Sequence, residues 1–176
     1  MVLMGRRSAK VSDLVESYAI CKDITRAAST SFLRSFRHLP IEKRNAVYAL
    51  YAFCRRVDDI ADGDWLPDLS DISPEKMSDL EVRTADRSVI LSIDKQSEGS
   101  NPEPDHSLKL RALIHYRDML CRAHEGHSVS DPIFVALKDT FSRFPIRVGD
   151  LHQLIDGMED DLYPTNYRSF EDLRGY

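Results

Sequence analysis

Outside one central stretch, apolar residues recur with the period of about 3.6 that marks amphipathic helices. The longest such segment is 40–63, where Val47, Leu50, Cys54, Val57 and Ala61 form one stripe and Ala46, Ala49, Phe53 and Ile60 widen it. Pro40 suits a first helical position and Gly63 the left-handed residue just past a helix end. Upstream, Leu14, Tyr18, Cys21 and Ile24 predict a helix from an N-cap at Ser12 to about Ala28. A short segment with Phe32 and Phe36 on one face follows, stopping at Leu39 and Pro40. Downstream, Leu108, Leu110, Leu113, Ile114, Met119 and Leu120 predict a helix ending near Gly126. Asp131 followed by Pro132 reads as a cap and a first-turn proline, opening a helix with Ile133, Val135, Leu137 and Phe141 toward Pro145. The last clear helix spans about 146–162, with Val148, Leu151, Leu154, Ile155 and Met158 inward. The pattern predicts an all-α fold of about five or six helices.

Between them, 64–107 breaks the period with Pro67, Pro74, Gly99, Pro102 and Pro104, and reads as a polar, exposed insertion. Within it, 81–93 could form a short helix or a strand. Glu103 and His106 spell E-x-x-H, but they follow prolines in a loop-like context and do not make a bundle metal ligand set. Ser169 to Asp172 has the form of a capping box, so a further helix is expected to begin there.

One face of the 40–63 helix departs from the design of a buried helix. Tyr51, Arg55, Asp58 and Asp62 stand at i, i+4, i+7 and i+11, which stacks them on one side. Asp58 and Asp62 repel one another by a few tenths of a kcal/mol and oppose the helix dipole by about 0.3–1 kcal/mol. A divalent cation turns that repulsion into a site, and Mg²⁺ characteristically takes one or two carboxylates and fills its shell with water and substrate phosphate oxygens. A solvated acidic helix end with Arg55 and Arg56 as partners explains the same spacing. Asp156 and Asp160 form a second i, i+4 pair on the last helix. Ser29 and Ser31, at a helix junction, could donate to an anion or act as ordinary caps. Phe32 and Phe36 could be a core pair or the wall of an apolar channel.

Composition narrows the alternatives. The chain has 176 residues, 42% hydrophobic and 30% charged, enough for one domain with a full core. Its net charge of −5 and the lack of a basic face argue against nucleic acid as a partner. The first ten residues have no apolar run after their charges, unlike a signal peptide, and no stretch is long enough to span a bilayer. Three widely spaced cysteines without a C-x-x-C suggest reduced, buried thiols in a cytoplasmic protein. Neither a dinucleotide-binding nor a P-loop glycine motif occurs.

The segments STSFLRSFRHLP (29–40) and YALYAFCRRVDDIADGD (48–64) resemble the start of the squalene/phytoene synthase family, including its first aspartate-rich motif. The similarity resumes more loosely in LIDGMEDDL (154–162) and in YRSFEDLRGY (167–176), which leans toward phytoene synthases. The resemblance implies the N-terminal half of an isoprenoid-synthase helical bundle over 12–176, with 64–107 inserted, in a chain that ends short of the whole domain. It implies a prenyltransferase that condenses two prenyl diphosphates head to head. Ionisation of one donor gives an allylic cation, attack by the second donor's double bond gives a cyclopropylcarbinyl diphosphate, and rearrangement yields phytoene, squalene or dehydrosqualene.

Carried over by position, Asp58 and Asp62 would hold Mg²⁺ (or Mn²⁺) and Arg55 would contact diphosphate. Tyr51 would line the site, Ser29 and Ser31 would touch diphosphate, and Phe32 and Phe36 would wall the prenyl channel. An apolar product implies peripheral contact with a membrane, without a transmembrane segment. Two features depart from the family: Ala28 stands where many members have histidine, and the second motif, N-x-x-R-D-x-x-E-D, does not occur. The chain is therefore expected to be a fragment that is inactive alone, with an exposed apolar side on the helices at 40–63 and 146–162. The alternative is an inert relative that acts as a binding or assembly protein.

Overall fold

The computed structural model describes residues 3–28, 30–69 and 104–162; of residues 3–12, 30, 32, 104 and 105 it describes the backbone alone. Six helices occupy these residues: α1 Leu3–Ala28, α2 Thr30–Phe36, α3 Ile41–Asp62, α4 Pro104–His124, α5 Pro132–Arg143 and α6 Val148–Asp161. Among the described residues there is no strand, so the fold is all-α, as the periodicity predicts.

α3 is the axis of the molecule and packs against α1, α4, α5 and α6. Its buried side is centred on Ala46, Ala49, Ala52, Phe53, Val57 and Ile60, while Val47, Leu50, Cys54 and Ala61 are only half-buried. The stripe is thus rotated from the one first drawn, because α3 is enclosed on several sides and the small alanines let its neighbours approach. At the centre the rings of Phe53, Tyr116 and Phe134 join α3, α4 and α5: Tyr116 and Phe134 meet edge to face at 5.0 Å, and Phe53 lies 6.2 Å and 6.1 Å from them. Such ring pairs add about 0.5–1.5 kcal/mol beyond the area they bury.

The caps follow local chemistry with two corrections. Asp131 caps α5, its carboxylate accepting from the N–H groups of Ile133 (2.8 Å) and Phe134 (3.4 Å), with Pro132 in the first turn. Gly63 closes α3 at φ 84°. Pro40, however, is the residue before α3 at ψ 146°, outside the helix rather than in it. Ser12 is not an N-cap, since α1 runs through it from Leu3; polar residues before Leu14 carry the helix on propensity without an apolar stripe to announce it.

The expected insertion begins later than its composition suggests. Trp65, Leu66 and Leu69 pack against the core, and 104–107 already belong to α4. Residues 70–103, with the 81–93 segment, and the capping box at Ser169 lie outside the described residues, as does Glu103. None of the three cysteines forms a disulfide; Cys21 is buried and Cys54 and Cys121 are half-buried. The expected apolar side of α3 and α6 does not emerge among the described residues: their large exposed hydrophobics are Val15, Ile41 and Leu108, far apart in sequence. No described helix is long and apolar enough to cross a membrane.

Candidate functional site

The last two turns of α3 put five charged side chains beside the core. Arg55 donates to Asp58 at 2.8 Å, lies 2.5 Å from Asp59, and reaches within 3.9 Å of Asp64. Arg56 donates to Asp59 at 2.9 Å. Asp58 is partly exposed and Asp62 exposed, one turn further along the same face; Tyr51, two turns before Asp58, is half-buried. Asp59 is different: its side chain is 8% exposed, with one oxygen toward Arg55 and the other toward Arg56.

The chain leaving α3 is tied to this group. The Asp59 carbonyl accepts from the N–H groups of Asp64 (2.9 Å) and Trp65 (3.2 Å), a turn that needs the left-handed Gly63. The Arg56 guanidinium sits 4.6 Å above the Trp65 ring, and Trp65 meets Tyr116 edge to face at 6.1 Å. Burial pushes the Tyr116 phenol up, with Asp131 and Asp59 adding to it and Arg56 opposing. Among the described residues its hydroxyl has no hydrogen-bond partner.

The other expected site residues are distributed unevenly. Phe36 packs edge to face with Tyr48 at 6.1 Å. Tyr48 precedes Asp58 by ten residues, about 15 Å along a helix, so this Phe36 contact lies toward the start of α3. Ser31 is exposed on α2, whose main packing is against α1. Ser29 and the Phe32 side chain lie outside the described residues.

The second carboxylate pair is divided. Asp156 binds Arg117 at 2.6 Å, but its partner in that clamp is Glu159, at 2.9 Å, not Asp160, which is exposed. Burial pushes the Glu159 carboxyl up while Arg117 opposes. Burial also works to lower Arg117, but Glu159 and Asp156 more than offset it. The two short contacts mark a charged clamp between α4 and α6 rather than a free metal face.

Among the described residues no three His, Cys, Asp or Glu side chains converge as a metal-binding set. Asp58 and Asp62 nevertheless fit a hard divalent cation that draws its remaining ligands from phosphate and water, since both are reachable from solvent and share a face. Arg56 is the partner that the sequence suggests for the acidic helix end, whereas Asp59, Trp65 and Tyr116 are not marked by it. The usable signal was the spacing of Asp59, at i+4 from Arg55 and i+3 from Arg56 on the line of Ala52.

The structure superposes on a dehydrosqualene synthase crystallised with a ligand, with a TM-score of 0.61 and 23% identity, covering 94% of this chain and 44% of that one. The sequence signature of the squalene/phytoene synthase family matches residues 25–176, and the chain belongs to that family. It is 30% identical over 166 residues to phytoene synthase of Mycobacterium tuberculosis, covering 94% of this chain and 41% of the relative. Against phytoene synthase of Arthrospira platensis it is 27% identical over 161 residues, covering 92% of this chain and 39% of the relative. The chain thus spans about two fifths of the curated relatives it matches.

Proposed function

We propose that this chain supplies the first metal and diphosphate face of a head-to-head prenyltransferase, acting on geranylgeranyl diphosphate or its shorter farnesyl homologue. The observation that carries the reading is the shared face of Asp58, Asp62 and Arg55 at the solvent-reachable end of an otherwise enclosed helix. The similarity to phytoene synthases along nearly the whole chain supports it, and favours the geranylgeranyl donor.

On this reading Asp58 and Asp62 would hold Mg²⁺, which would supply the positive charge that makes diphosphate a competent leaving group. Arg55 adds positive charge at the same edge, Tyr51 lines it, and Ser29 and Ser31 offer hydroxyl donors to the diphosphate. Phe32 and Phe36 wall the prenyl chain, keeping water from the cationic carbon. The family's second aspartate-rich motif does not occur within the 176 residues.

The test is calorimetric binding of geranylgeranyl thiodiphosphate with and without Mg²⁺, together with a turnover assay for pyrophosphate and hydrocarbon. Mg²⁺-dependent binding is expected, weakened at least about tenfold in Asp58→Asn and in Asp62→Asn, the loss of one charge-assisted contact. The 176-residue chain alone is expected to bind without turnover. Metal-independent binding, or binding untouched by both substitutions, refutes the reading. Turnover at the rate of a full-length relative would instead show that the chain completes its site unaided.

A further inference from the structure

Asp59 is the least exposed charge of the α3 cluster and the one with most partners. Its two carboxylate oxygens hold Arg55 at 2.5 Å and Arg56 at 2.9 Å, and its carbonyl holds the N–H groups of Asp64 and Trp65. Arg56, so held, lies over Trp65. One residue therefore fixes both arginines and the first residues past the helix. A buried ion cluster of this kind adds little net stability compared with apolar packing; what it supplies is orientation.

The orientation matters for Arg55. Its guanidinium is shared between Asp58 and Asp59, with the exposed Asp64 more distant at 3.9 Å. With Asp58 the sole partner, Arg55 would pair fully with it and compete with any cation that Asp58 binds. With Asp59 as a second, buried anchor, Arg55 can release Asp58 and remain at the edge of the site with N–H groups free for an anion. Arg56 cannot substitute, because it is committed to Asp59 and Trp65.

We propose that Asp59 is a positioning residue, which keeps Arg55 at the site edge so that Asp58 is released to a metal–diphosphate ligand. This rests on the reading of Asp58, Asp62 and Arg55 as a diphosphate face. Asp59 itself does not touch the ligand.

A double-mutant cycle tests it on the 176-residue chain, with magnesium and inorganic pyrophosphate as the probe and calorimetry as the readout. Arg55→Gln and Asp59→Asn are each expected to weaken binding about tenfold, and the double variant no more than either alone, because both remove the same oriented guanidinium. Asp59→Glu, which keeps the carboxylate, is expected to restore most of the affinity. Trp65 is the chain's single tryptophan, so its emission reports the Arg56 contact directly and is expected to shift to the red in Asp59→Asn.

Should Asp59→Asn not fold, Asp59→Ser crossed with Arg55→Gln closes an equivalent cycle, again expected to be non-additive. Additive losses, near a hundredfold in the double variant, or wild-type affinity in Asp59→Asn, overturn the assignment while leaving the diphosphate face intact. An emission shift without a loss of affinity overturns it too, leaving Asp59 a strap for the helix end. A wild-type chain that shows no saturable binding defeats the underlying function, and this assignment with it.

Discussion

Tyr18 shows how a single side chain can serve three helices. Its hydroxyl lies 2.8 Å from Asp139 and 3.3 Å from Thr140, and Arg143 binds the same Asp139 at 2.8 Å while reaching Glu42 at 3.6 Å. Burial is the main cause that pushes the Tyr18 phenol up to about 12. Because the folded value lies above the ordinary 10.0, this contribution to stability is complete below pH 10 and disappears as the pH rises through about 12. Denaturant unfolding at stepped alkaline pH should show that loss, and Tyr18→Phe should flatten it at a cost near 1 kcal/mol at neutral pH. Cys21 behaves similarly: burial pushes its thiol up to about 12, so it holds little thiolate at neutral pH. Alkylation of the native chain at pH 7 should spare Cys21 until the protein is unfolded; rapid native labelling there would contradict its burial.

The elements end where local chemistry stops them, and those endings are the cheapest places to alter stability. Gly63 at φ 84° lets the Asp59 carbonyl capture two N–H groups. Gly63→Ala should cost about 1 kcal/mol and lower the melting temperature by a few degrees, with little change in far-ultraviolet circular dichroism. Asp131→Ala removes the acceptor for Ile133 and Phe134 and should cost about 1 kcal/mol in the same measurement. Both signals were plain in the sequence. Neither the true start of α1 nor the inward face of α3 was, because a polar helix carries no stripe and a helix enclosed on several sides carries too broad a one.

At the scale of the molecule, α4 and α6 are joined by the Arg117 clamp as well as by apolar packing. The Arg117 side chain is 14% exposed and Glu159 23%, so Arg117→Gln orphans a largely buried carboxylate. The expected cost is about 3 kcal/mol, at the low end for a broken buried pair, measured by urea unfolding. Burial has already raised Glu159, and without Arg117 to oppose it the carboxyl should rise further. The instability of Arg117→Gln should therefore ease as the pH falls and Glu159 protonates. An equal deficit at all pH values would mean that the clamp contributes through packing rather than charge.

Helix period, the caps at Gly63 and Asp131 and the Asp58/Asp62 spacing depend on neighbours within about a dozen residues, so the sequence alone determined them, along with the all-α class and the family. It did not determine which of two adjacent aspartates would be buried. Asp58 and Asp59 differ by only 100° around α3, and although spacing sets Asp59 beside Arg56, nothing local says that it would be the one buried near Trp65 and Tyr116. Nor could spacing show that Asp156 would pair with Glu159 about Arg117, a residue 39 positions away from Asp156. Burial and ion pairing at these points are set by helices that meet only when the chain is folded, and there the tertiary structure decides.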